Sequence, residues 1–65
     1  MEKAWLVEKL YNCGSLYFGG STELVNNENA VRFSREIDAK KTLDLLNVME
    51  LLPEGRYIVA EHVWM

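Results

Sequence analysis

The sequence has few of the residues that build disulfides, metal centres and nucleophilic sites. Its 65 residues include one cysteine, Cys13, and one histidine, His62. A disulfide needs a pair of cysteines, and a structural zinc site needs several Cys or His ligands at recognisable spacing. We therefore expect neither an internal disulfide nor a metal site. No glycine motif of a phosphate-binding loop is present either, and no cofactor is predicted.

Long apolar runs and clustered positive charge are also missing. No stretch approaches the roughly 20 apolar residues of a membrane span, and residues 1–11 do not resemble a secretory signal. Together with the free cysteine, this favours a cytoplasmic protein that does not engage a membrane. Seven Lys and Arg residues against ten Asp and Glu residues give a net charge of −3. Nucleic-acid binding, which rewards clustered positive charge, is therefore not the favoured function.

Apolar residues make up 49% of the chain, which is enough for a folded core and too much for a disordered chain. The length predicts one small α+β domain over residues 1–65. A domain of this size buries only about 60% of the surface that its unfolded chain exposes. Such a core is marginal, so association with a second chain would stabilise it.

Residues 29–47 have the strongest periodicity and predict a helix. Ser34 is the predicted N-cap, because its hydroxyl can accept a hydrogen bond from the first turn. Glu36 and Asp38 follow, where the helix dipole favours negative charge. We expect the helix to run from about residue 35 to residues 47–49, with Asn47 suited to a left-handed C-cap. At about 100° per residue, the apolar arc contains Ala39, Thr42, Leu43, Leu45, Leu46 and Met49.

Three other segments are predicted to be strands because they are rich in aromatic, β-branched and aliphatic residues: residues 4–11, 16–18 and 56–64. In the first of them, two leucines four residues apart leave a helix as the alternative. A turn is predicted at residues 12–15, and a loop that crosses back over the sheet is predicted at residues 21–28. Ala30 and Phe33 are expected to face the core, with Phe33 packed back onto the start of the helix.

The predicted order is strand, strand, helix, strand. It indicates a two-layer ββαβ fold in which one helix packs across one face of a three-stranded, antiparallel-type sheet. A right-handed crossover places the first strand in the middle, with the last strand antiparallel to it. Both rows of side chains on the first strand contain apolar residues. The sequence therefore leaves open which row the helix covers.

Residues 29–64 resemble small uncharacterised proteins of phages and prophages. The shared helix positions are an alanine, an aromatic residue, a Ser or Thr cap and a second alanine, here Ala30, Phe33, Ser34 and Ala39. The shared last strand ends in Glu-His-any-Trp, here Glu61, His62 and Trp64. The resemblance implies this fold and a mobile-element origin, and it implies no activity.

The sequence offers few catalytic candidates. Cys13 and His62 could form a nucleophile and its base, but Cys13 lies in a predicted turn and nothing brings it to the last strand. Glu61 and His62 are adjacent on a strand and point to opposite faces, so they are not expected to share a metal or a proton. The chain is predicted not to be an enzyme.

Large aromatic residues are the predicted partner-binding residues. Tryptophan and tyrosine are common anchors of protein interfaces, and two neighbouring strands carry four of them: Trp5, Tyr11, Tyr57 and Trp64. We expect these residues on an uncovered sheet face that binds a second copy or another protein, with a phage accessory protein engaging a host protein as the predicted setting. A single core shared by all four is the competing interpretation. The alternative function is nucleic-acid binding by the basic helix side, through Arg32, Arg35, Lys40 and Lys41.

Overall fold

A computed structural model describes residues 2–12, 14–21 and 23–64. Within these ranges the chain forms one helix and four strands: β1 (Glu2–Tyr11), β2 (Gly14–Phe18), β3 (Leu24–Val25), α1 (Glu36–Val48) and β4 (Tyr57–Trp64). The strands form one antiparallel sheet in the order β3-β2-β1-β4. The α+β class, the central position of β1 and the antiparallel β4 are as predicted. The helical alternative for the first segment is wrong.

The prediction of three strands is wrong because the segment after the hairpin contains a short fourth strand. Leu24 and Val25 pair with Phe18 and Tyr17 of β2 and do not cross the sheet as a loop. Gly19 lets the chain turn back this closely, since a Cβ built on it would lie 2.6 Å from Cγ2 of Val25. A strand of two residues has no alternation that a sequence pattern can reveal.

The β-hairpin is tighter than predicted. Gly14 and Ser15, which were expected in the turn, already belong to β2. Tyr11 and Gly14 form the last pair of the ladder, and Asn12 lies in the turn. Cys13, the remaining residue of the predicted turn, lies outside the described residues.

The ladder between β1 and β4 defines the two faces of the sheet. It runs without a break from the pair Glu2 with Trp64 to the pair Lys9 with Tyr57, and directly opposite residues share a face. We call the face of the odd-numbered residues of β1 and β4 the helix face, and the face of the even-numbered residues the open face. On the helix face Val7 is fully buried, and Leu46 of α1 lines the same surface hollow as Tyr57.

The core lies on both sides of β1. On the open face, Leu6, Tyr17 and Ala30 form a buried cluster, and Val25 and Trp64 pack against it. The segment that precedes the helix therefore covers part of this face, and the prediction that Ala30 faces the core is confirmed. On the helix side, the buried helix residues are Ala39 and Leu46.

The N-cap of the helix lies one residue later than predicted. Arg35, with an extended backbone (φ −131°, ψ 141°), is the N-cap, and it makes no side-chain capping bond. Its guanidinium donates two hydrogen bonds of 3.0 Å to the Asp38 carboxylate. Ser34 therefore precedes the cap and is not the cap itself. Phe33 holds the helix entry through its backbone, which exchanges hydrogen bonds of 2.8 and 3.0 Å with Trp5.

The helix ends at Val48, which lies within the predicted range. The residue in the left-handed cap conformation is not the predicted one. Glu50, not Asn47, takes the left-handed conformation (φ 54°). The N–H of Glu50 donates to the carbonyl of Asn47 (3.2 Å), and the N–H of Leu51 donates to the carbonyl of Leu46 (3.1 Å). These two bonds form a Schellman motif.

The apolar arc of the helix is only partly used. Ala39 and Leu46 are buried and Thr42 and Leu43 are half-buried, whereas Leu45 and Met49 are exposed. A helix that lies on a sheet buries a narrow stripe, so the flanks of a wide arc stay in contact with water.

Candidate functional site

The structure separates the four aromatic residues that were predicted to form one patch. Trp5, Tyr11 and Tyr57 belong to the helix face, whereas Trp64 pairs with Glu2 on the open face. The four therefore share neither one surface nor one core. Trp5 is half-buried, and its backbone pairs with Phe33.

Two of the four, Tyr11 and Tyr57, come together around Lys9. Lys9 lies in one cross-strand row between Leu16 of β2 and Tyr57 of β4. Its Nζ is 4.9 Å from the centroid of the Tyr11 ring and 5.9 Å from that of the Tyr57 ring. An ammonium within about 6 Å of an aromatic face is attracted by the ring quadrupole. We call Lys9, Tyr11, Leu16 and Tyr57 the hairpin patch.

The burial of Lys9 is the unusual feature of the hairpin patch. The residue is only 9% exposed, although lysine is rarely buried without a charged partner. Within residues 2–12, 14–21 and 23–64, the ion pairs involve other basic residues. Gly55 allows the close approach, because a Cβ at that position would collide with Cε of Lys9. The cation is thus held between aromatic rings with no acidic partner among the described residues.

The hairpin patch combines a fixed part and an exposed part. Tyr57 is half-buried and its hydroxyl donates to the carbonyl of Pro53. Burial raises the pKa of Tyr57, and the charge of Lys9 offsets part of that rise. Tyr11 and Leu16 are 45% and 38% exposed and line an open hollow of about 360 Å³ at the hairpin end. Exposed apolar groups therefore adjoin a lysine whose side chain is largely buried.

A polar cluster on the open face was not predicted from the sequence. The Glu8 carboxylate accepts a hydrogen bond from the Ser15 hydroxyl and lies 3.7 Å from Nε2 of His62. The edge of the His62 ring meets the ring of Tyr17, with centroids 5.3 Å apart. Burial, and secondarily the charge of Glu8, raises the pKa of Tyr17.

This cluster has the side chains of a catalytic triad in the wrong order. In a triad the histidine stands between the nucleophile and the acid, whereas here Glu8 stands between Ser15 and His62. The arrangement satisfies polar groups beside the core and leaves the serine without the histidine that a triad would place next to it. The signal in the sequence was weak, because positions 8 and 62 share a face only once the strand register is known.

Trp64 is covered by a cation on the open face. The guanidinium carbon of Arg32 lies 4.1 Å from the centroid of the Trp64 ring, and its Nη1 is 3.0 Å from the Glu2 carboxylate. Trp64 therefore has a partner within its own chain and is half-buried, whereas Tyr11 stays 45% exposed beside Lys9.

The predicted basic surface is largely neutralised by neighbouring acids. Three of its four members form ion pairs: Arg32 with Glu2 (3.0 Å), Arg35 with Asp38 (3.0 Å) and Lys40 with Glu36 (3.5 Å). The hydrogen bond between Arg35 and Asp38 raises the pKa of the arginine and lowers the pKa of the carboxyl. Lys41 is exposed, and one such cation makes a weak electrostatic site.

The described ranges contain neither a cluster of metal ligands nor a helix that could span a membrane. No group of three or more His, Cys, Asp or Glu side chains there could hold a metal ion. None of the helical segments in those ranges is long and apolar enough to cross a membrane. Cys13, which the sequence offered beside His62 only as a disfavoured nucleophile, lies outside these ranges. Comparisons of the chain with protein-family models, with curated proteins and with solved structures find no match.

Proposed function

We propose that this chain is a small, non-enzymatic protein-binding module and that the hairpin patch is its binding surface. The observation that carries the proposal is the exposure of Tyr11 and Leu16 directly beside the largely buried Lys9 side chain. Aromatic residues next to well-packed neighbours dominate the energy of protein interfaces. Because Lys9 and Tyr57 are already ordered, binding there loses little side-chain entropy.

The chemistry of the hairpin patch defines the kind of partner surface that fits it. An apolar side chain of the partner would occupy the hollow beside Tyr11 and Leu16. A carboxylate or carbonyl oxygen at its edge would supply the acceptor that Lys9 lacks among the described residues. The resemblance of residues 29–64 to phage and prophage proteins makes a host protein the partner class that we propose.

Two other functions have less support from the geometry. Catalysis by a serine triad lacks the histidine beside Ser15, because Glu8 occupies the position between that serine and His62. Nucleic-acid binding has little unpaired positive charge to draw on, since carboxylates engage three of the four basic residues that would carry it and leave Lys41 as the fourth. Retention on heparin that is lost as salt rises would favour the nucleic-acid alternative.

Affinity capture from cells of the natural host tests the proposal. Tyr11→Ala and Leu16→Ala each truncate an exposed side chain, and each should weaken capture of the partner by roughly tenfold or more if it is a hot spot. Val48→Ala is the matched control, because Val48 is 81% exposed on the outer side of α1. Circular dichroism and thermal unfolding should show that all three variants remain folded.

The proposal fails on either of two results. One is capture of the same protein at wild-type levels by Tyr11→Ala and by Leu16→Ala. The other is loss of capture in Val48→Ala, which would show that the binding surface lies on the helix.

A further inference from the structure

The outer edge of β4 is a row of unpaired backbone groups. β4 stands at the end of the strand order, and the N–H of Leu10 donates to the carbonyl of Arg56 (3.0 Å). Even-numbered residues therefore make the bonds between β1 and β4, and odd-numbered residues of β4 direct their N–H and C=O groups away from the sheet. These residues are Tyr57, Val59, Glu61 and Val63. No other backbone in the described ranges bonds to this edge.

Apart from one charged residue, Glu61, the edge of β4 lacks the devices that usually protect an edge strand. Proteins block such edges with proline, lysine, bulges or very short strands. β4 has eight residues, contains no proline, glycine or lysine, and pairs with β1 without a bulge. Its one acidic residue, Glu61, lies 3.6 Å from Lys3, which balances its charge. An unprotected edge of this length is suited to pairing with another strand.

We propose that β4 pairs antiparallel with β4 of a second copy of this chain, around a two-fold axis at Ala60. Such pairing would join two four-stranded sheets into one continuous sheet with both helices on the same side. This inference goes beyond the proposed binding by the hairpin patch and does not depend on it.

The two-fold axis restricts the possible registers. A two-fold axis perpendicular to the sheet keeps the helix faces of the two copies on the same side of the joined sheet. Odd-numbered residues of one copy therefore lie opposite odd-numbered residues of the other, and even-numbered residues lie opposite even-numbered ones. The two registers that overlap most of β4 are centred on Ala60 or on Glu61. In the second register Glu61 lies directly opposite Glu61 of the other copy, and like charges in that position are destabilising.

The register centred on Ala60 gives complementary neighbours. It places Glu61 opposite Val59 of the second copy and brings two small Ala60 side chains together at the axis. It also covers apolar groups that a single copy leaves in water: Val63, 48% exposed, meets Tyr57, and Ile58, 39% exposed, meets His62. The absence of a like-charge pair in this register, together with the cover that it gives to exposed apolar residues of the same strand, favours a second copy as the occupant.

Sedimentation equilibrium of the full chain under reducing conditions is the first test. The expected result is a reversible rise from 7.5 kDa to twice that mass as concentration increases. A chain that stays monomeric up to about 1 mM would overturn the proposal, because a functional dimer should be populated there.

Cysteine trapping tests the register. In a Cys13→Ser background, Ala60→Cys places two thiols opposite each other in a non-hydrogen-bonded pair, where Cα atoms are about 4.5 Å apart and a disulfide can form. Val63→Cys is the control, because the two copies of residue 63 lie at opposite ends of the paired strands. When a mild oxidant such as oxidised glutathione accepts the two electrons, Ala60→Cys should cross-link rapidly and Val63→Cys should not. Equal cross-linking, or none from either variant, would overturn the register.

Removal of one outward N–H tests the edge itself. Glu61→Pro deletes a donor that β1 does not use, whereas Glu61→Ala deletes the same carboxylate and keeps the donor. Each dimer loses two hydrogen bonds with proline, so its dissociation constant should rise by about thirtyfold, and alanine should not weaken it. Equal dimerisation of the two variants would show that another surface mediates association. If circular dichroism shows that Glu61→Pro is unfolded, the cysteine-trapping result decides whether β4 forms the dimer interface.

Discussion

The C-terminus of α1 provides a stability prediction that depends on one backbone angle. Glu50 is the only residue other than glycine with positive φ in the described ranges, at 54°. That conformation costs an L-residue roughly 1–2 kcal/mol, which glycine avoids. The greater freedom of glycine in the unfolded chain removes about 0.5–1 kcal/mol of that advantage. Glu50→Gly should therefore stabilise the fold by about 0.5–1 kcal/mol.

A matched variant separates the backbone effect from the charge effect. Glu50 places negative charge at a helix C-terminus, where the dipole disfavours it, so loss of the charge alone is also stabilising. Glu50→Gln removes the charge and keeps the β-carbon. The difference between Glu50→Gly and Glu50→Gln is thus the contribution of the left-handed backbone.

Urea and thermal unfolding of both variants provide the measurement. In a domain of this size, 1 kcal/mol moves the melting temperature by about 4–8 °C. We expect Glu50→Gly to melt about 2–8 °C above Glu50→Gln. Equal melting temperatures would refute the reasoning, because they would show that position 50 is not held in a left-handed conformation.

Three further predictions concern the core and its titration. Leu6→Ala should cost about 2–5 kcal/mol, a large part of the roughly 3–10 kcal/mol expected for such a chain, whereas Leu16→Ala should cost less than about 1 kcal/mol in urea unfolding. Gly19→Ala should destabilise the fold by about 1–3 kcal/mol, since its methyl group would press on Val25. The NMR contacts between β3 and β2 should weaken, and unchanged contacts would contradict this prediction. The raised pKa of Tyr17 means that its stabilising effect is complete below pH 10 and is lost as pH rises through the folded-state pKa. Tyr17→Phe should thus reduce the alkaline fall in melting temperature, and an unchanged fall would show that Tyr17 titrates normally.

The regular elements were predictable because their side chains repeat with a clear period. β4 alternates between two rows, and the helix was placed to within one residue at its start. The period carries no information about short or irregular contacts. The two-residue strand of Leu24 and Val25 was therefore not predicted. Ser34 was predicted to be the N-cap, a position that Arg35 occupies.

The assignment of faces could not be derived from the sequence because β1 is buried on both sides. Leu6 and Val7 are adjacent and both fully buried, one under the segment that contains Ala30 and the other on the helix face. The prediction of a single uncovered aromatic face assumed that only the helix covers the sheet. Ala30 and Arg32 show why that assumption fails, since they cover part of the second face.

The hairpin patch depends on contacts between residues far apart in the chain. Lysine is usually exposed, and the burial of Lys9 requires the close approach of Gly55. Tyr11 and Tyr57 were both predicted to be partner-binding residues, but their contact with Lys9 was not predicted. Their meeting around one cation follows from the register of β1 with β4, which the sequence alone does not specify.

Photo-cross-linking in the natural host is the most direct test of the central claim that the hairpin patch binds another protein. A photoreactive phenylalanine analogue at position 11 is compared with the same analogue at position 48, which is exposed on the helix. The proposed function predicts a discrete adduct with a host protein from position 11 and none from position 48. An adduct from position 48 alone, or no adduct from position 11, would contradict it.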